Sequence, residues 1–127
     1  YNRIVNLCFY LESNPDVKFI ENLEKLMDDP NIKGYKTSEY NQTRWRIYGA
    51  NLELLLAVAA IRCGSMKGTE CLISYLEDIH SNFRYFSRNE LCSVYGKDGG
   101  YDRAAWRKLV KDKKSLKVSP LKKSIEV

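Results

Sequence analysis

The chain has 127 residues, 44% hydrophobic and 29% charged, with a net charge of +5. That length suits one domain with a core of its own, and that composition excludes a disordered or collagen-like chain. The longest strongly apolar run, Leu52 to Ile61, is interrupted by Glu53 and is about half the length of a membrane span, so no spanning helix is expected.

The sequence opens on Tyr1 and closes on a polar, lysine-rich stretch, as a domain of a longer or processed chain would. Over residues 3–11, Ile4, Leu7, Cys8 and Leu11 recur at i, i+3, i+4 and i+7, which predicts an amphipathic helix. Asn14 then caps a second helix, with Pro15 at its first position and Asp16 at its positive end. Val17, Ile20, Leu23 and Met27 form its apolar stripe, and Asp29-Pro30 ends it. A loop with Gly34 and several Thr, Ser and Asn residues follows.

From about residue 41 to 63 the pattern predicts a long helix that stops at Gly64. Its second half is apolar on nearly every side, the mark of a buried central helix. A further helix is expected to start on a Thr69 cap and to carry Leu72, Tyr75, Leu76, Ile79 and Phe83 as one stripe. Ser87 to Glu90 fits a capping box, which predicts a separate short helix bearing Leu91, Val94 and Tyr95. The run GKDGG breaks it, and Asp102 caps a last helix through about Lys114. The fold class expected is all-α: a single compact bundle of five or six helices around the central one, spanning 1–114, with a flexible basic tail at 115–127.

The charge is uneven. Residues 1–101 carry 12 Lys/Arg and 13 Asp/Glu, whereas residues 102–127 carry 9 and 3. Such a basic end fits a polyanion partner, and it equally fits a solvated lysine tail. On the last helix Trp106, Leu109 and Val110 share one face. Arg103, Arg107, Lys111 and Lys114 form a second stripe about 80° wide, with Lys108 beside it. Together with the preceding helix and glycine turn, residues 88–114 match a helix-turn-helix outline, so these five cations are the candidate nucleic-acid contacts. An acidic Asp102 at the end that would read bases argues against sequence-specific recognition.

Tyr40, Arg44, Trp45 and Arg46 interleave aromatics with arginines where the central helix begins; they are candidate partner-binding residues, or else a plug for one end of the core. Ser119 stands in SPLK, a proline-directed kinase pattern within a basic run that resembles a nuclear-localisation stretch. Asn41-Gln42-Thr43 is a glycosylation triplet of consequence only in a secreted chain. The four cysteines lack metal-site spacing and read as reduced, structural thiols of a nuclear or cytoplasmic protein; a Cys63–Cys71 bridge is the alternative in a secreted one. His80, near Glu77 and Asp78, is the one candidate for catalysis, and no nucleophile or paired carboxylate joins it. No cofactor and no small-molecule substrate is implied. The function expected is a non-catalytic binding module, for a protein partner or for self-association, whose basic end touches nucleic acid. The alternatives are a dedicated DNA- or RNA-binding domain and, last, an enzyme using His80.

Overall fold

The computed structural model describes residues 2–29, 44–78 and 80–111, with side chains described over 3–29, 51–78 and 80–111. Among the described residues six α-helices follow one another: α1 (Asn2–Ser13), α2 (Ile20–Met27), α3 (Arg44–Cys63), α4 (Met66–Ser74), α5 (Ser81–Tyr95) and α6 (Arg103–Lys111). Among the described residues there is no strand, and none of the helices is long and apolar enough to cross a membrane.

Helix α3 is the hub that its composition predicts. From Leu56 to Ile61 every residue is buried, and α1, α2, α4 and α5 all lie against it. Burying a Leu or Ile contributes roughly 1.5–3 kcal/mol each, so this helix anchors the core. It ends in a Schellman motif: the Ser65 amide donates to Ala60 O at 2.9 Å and the Gly64 amide to Ile61 O at 3.1 Å. The motif needs a left-handed residue, and Gly64 supplies it with φ 105°. Helix α4 then returns so closely that a Cβ on Gly68 would stand 2.8 Å from Ala57 O and Ile61 N.

Two polar devices brace the hub. The Tyr75 hydroxyl donates to Glu53 Oε1 at 2.5 Å, which explains a carboxylate inside an otherwise apolar run. Arg62, in the last turn of α3 and 2% exposed, donates to Glu90 Oε2 at 3.0 Å and to Ser93 Oγ at 3.1 Å. Glu12 of α1 also reaches this cluster, and its Oε2 is buried with no hydrogen-bond partner. Burial, and then the Glu90 charge, push its carboxyl up to about 7 against the pull of Arg62. Burial likewise pushes the Cys8 thiol up to about 12, and Cys8 and Cys63 sit in the core as inert side chains.

Four local expectations are corrected. Asp16, not Asn14, is the cap: its carboxylate accepts from the Lys18 amide at 3.0 Å and opens a 3-10 turn, Val17–Phe19, before α2. Asn14 instead closes α1 by donating from Nδ2 to Tyr10 O, and Val17 is exposed rather than part of the stripe. Ser65, not Thr69, caps α4, accepting from the Gly68 amide at 3.2 Å; Thr69 is buried inside the helix, 2.7 Å from the Tyr95 hydroxyl. The stripe from Leu72 to Phe83 is not one helix. The chain turns after Ser74, keeps Tyr75 and Leu76 buried through the turn, and restarts at Ser81. Finally, Ser87 starts no helix. It lies buried midway along α5, one step of the stripe Phe83, Ser87, Leu91, Tyr95, while Glu90 serves Arg62 instead of a capping box.

Candidate functional site

Asp102 caps α6 as its position predicts, accepting from the Ala104 amide at 2.9 Å. Trp106 is fully buried, donates from Nε1 to Gly100 O at 2.7 Å and meets the Tyr95 ring at 6.3 Å; Val110 is buried and Leu109 half-buried beside it. This anchors α6 on α4 and fixes where its cations point. Arg103 reaches Glu77 at 2.9 Å, and Arg107 reaches Glu70 at 2.9 Å, both across the α4–α6 side. The hydrogen bond from Arg103 holds the Glu77 carboxyl below its usual range. Lys108 and Lys111 are exposed, and Lys114 lies outside the described residues. On this face Arg103, Arg107, Lys108 and Lys111 stand against Glu70, Glu77 and Asp102, a balance of +1. The described part of the basic stripe is therefore nearly neutralised, chiefly by carboxylates about 30 residues upstream.

The other sequence candidates are placed as follows. Arg44, Trp45 and Arg46 form the first turn of α3, with side chains outside the described set. Tyr40, Asn41 and Ser119 also lie outside the described residues. His80 precedes α5 as its N-cap residue, so it is not a mid-helix histidine. Its companion is Asp78, with Nδ1 and Oδ2 3.3 Å apart, whereas Glu77 is engaged by Arg103. Its ring lies 5.5 Å from that of Phe83.

A feature the sequence reading missed lies on α5. Asn82, Tyr85, Phe86, Asn89 and Ser93 fall at i, i+3, i+4, i+7 and i+11, one stripe of a helix, and all five are exposed. Tyr85 is 59% and Phe86 39% exposed. None carries a charge. The charged side chains of this helix are directed elsewhere: Arg84 donates to Asp78 O at 2.6 Å, Arg88 holds Asp98 with an Nε–Oδ1 distance of 3.1 Å, and Glu90 receives Arg62. The Arg88 hydrogen bonds hold the Asp98 carboxyl far below its usual range.

Beside this stripe, α3 and α5 diverge into a groove of about 290 Å³, lined by Asn51, Leu54, Leu55, Asn82, Phe83 and Phe86. Leucine and phenylalanine make its floor and the two asparagines its polar edge. Such a lining binds apolar surface and orients it by amide hydrogen bonds; it supplies no general acid, base or nucleophile. Comparison with family models, curated proteins and solved structures returns no match for this chain.

Proposed function

We propose that this chain is a non-catalytic protein-interaction module, which receives an amphipathic helix of a protein partner on the outer face of α5 and in the groove between α3 and α5. One observation carries this reading: in a chain 29% charged, an exposed stripe of three turns bears two aromatics and no charge, and it borders an apolar groove. Protein interfaces are depleted in charge and enriched in aromatics at their centres, and an exposed apolar patch of this kind marks such sites. A helix laid along the groove would set side chains at i, i+3 or i+4 onto Leu54, Leu55 and Phe86.

The basic end supports a second, weaker contact. Lys108, Lys111 and the lysine-rich tail favour nucleic acid through phosphates alone, because Arg103 and Arg107 are shared with Glu77 and Glu70. The His80 enzyme reading gains the Asp78 neighbour.

The test is selection of helical peptides from a displayed library against the immobilised chain, followed by binding to Phe86→Glu. The reading expects selected peptides to carry spaced apolar anchors and to lose at least about tenfold in affinity for the variant. Peptides that bind both proteins equally, or a library that yields none, would remove the α5 face as the docking surface.

A further inference from the structure

We propose that the occupant of this face is a second copy of the same chain, docked isologously, with α5 crossing α5 about a two-fold axis. The inference rests on the protein-docking reading above and specifies its partner. Three features of the face make it its own complement.

The first is charge. A two-fold axis sets residues near it against their own copies, so a charge there would face a like charge. The stripe Asn82, Tyr85, Phe86, Asn89 and Ser93 has none, and Arg84, Arg88 and Glu90 are drawn off it by Asp78, Asp98 and Arg62. A face built for a charged partner would carry the opposite sign. The second is hydrogen bonding. The amides of Asn82 and Asn89 and the hydroxyl of Tyr85 each both donate and accept, and Ser93, whose Oγ already accepts from Arg62, can still donate, so a copy of the face can satisfy it. The third is shape. Tyr85, the projecting ring, lies one turn from Asn82 at the edge of the groove. In an isologous interface residue i meets j while j meets i, so two such rings can enter two grooves at once.

Size sets the expected strength. Fully burying an aromatic covers about 150–250 Å², and Tyr85 and Phe86 are already partly covered. At those exposures two rings from each copy supply about 300–500 Å², and with the polar stripe the interface stays below about 1,200 Å², in the range of weak, transient contacts. A micromolar dimer is expected, rather than an obligate one.

The experiment is sedimentation of the full chain from about 5 to about 300 µM, a range that brackets a micromolar constant. It is repeated for Tyr85→Lys, for Tyr85→Glu, for their equimolar mixture and for Phe9→Lys on α1. Tyr85 is largely exposed, so these changes leave the core intact, which circular dichroism checks. The proposal expects a concentration-dependent dimer in the unmodified chain. It expects a loss of at least about tenfold in each charged variant alone, and recovery when opposite charges are mixed. A chain monomeric at the highest concentration would overturn self-association while leaving the peptide selection to decide the docking face. A dimer abolished by Phe9→Lys and indifferent to both Tyr85 variants would overturn self-association through α5, again leaving the peptide selection to decide the docking face.

Discussion

Replacing Glu12 by Gln tests how the end of α1 is seated. The Glu12 carboxyl lies near Glu90 and Arg62, the Arg62 guanidinium already serves Glu90 and Ser93, and Glu12 Oε2 is buried without a partner. The folded protein therefore keeps the Glu12 proton up to about pH 7, whereas an unfolded chain releases it near 4.5. Between these values the folded state binds more protons than the unfolded one, so the contribution of Glu12 is fully present below the lower value and is lost as pH rises through the upper. The ceiling for that loss is about 3.5 kcal/mol at about 1.4 kcal/mol per pH unit. The rest of the side chain is partly exposed and solvent screens it, so a loss of about 1–2 kcal/mol is expected. Glutamine keeps the shape and cannot ionise. By urea unfolding, Glu12→Gln should match the unmodified protein within about 0.5 kcal/mol near pH 5 and exceed it by about 1–2 kcal/mol near pH 8. Contributions from other groups are common to both proteins and cancel in the difference. An equal gap at the two pH values would refute the reasoning, for it would mean that Glu12 is ionised and solvated throughout.

Two further outcomes follow from the packing and the charges. Gly68→Ala should lower stability by about 1–3 kcal/mol or more, because its Cβ meets the α3 backbone, which cannot yield as a side-chain tip would; a thermal melt unchanged within about a degree would show that α4 does not approach α3 so closely. Fluorescence anisotropy of the full chain with duplex DNA, single-stranded DNA and RNA should show weak, sequence-indifferent binding that falls with salt. Glu70→Gln with Glu77→Gln should strengthen it several-fold by releasing Arg107 and Arg103 to phosphates, and no change would mean that α6 does not face the polyanion.

The parts of the fold that periodicity could reach were legible. The burial of α3, the stop at Gly64, the Asp102 cap and the inward face of α6 with Trp106 all follow from local spacing. The break between α4 and α5 was not legible, because Tyr75 and Leu76 stay buried through the turn and no Gly or Pro marks it. Asp78 does instead: its carboxylate takes the His80 amide at 2.9 Å and its carbonyl takes Arg84. The capping-box pattern at Ser87 misled for a related reason, since Glu90 had a stronger call on it from a buried arginine 28 residues away. Counting charges along 102–127 identified the basic end but could not see Glu70 arriving from α4 and Glu77 from the turn after it. The uncharged stripe of α5 was within reach of the sequence only once α5 was known to run unbroken from Ser81 to Tyr95. Splitting it at Ser87 divided Asn82, Tyr85 and Phe86 from Asn89 and Ser93.

The docking face itself is tested most directly by amide chemical-shift mapping of the full chain as a selected helical peptide is added. Shifts confined to Asn51, Leu54, Asn82, Tyr85, Phe86 and Asn89 are the predicted result. Shifts gathered instead on Arg103, Arg107 and Lys108, with the α5 face silent, would contradict it.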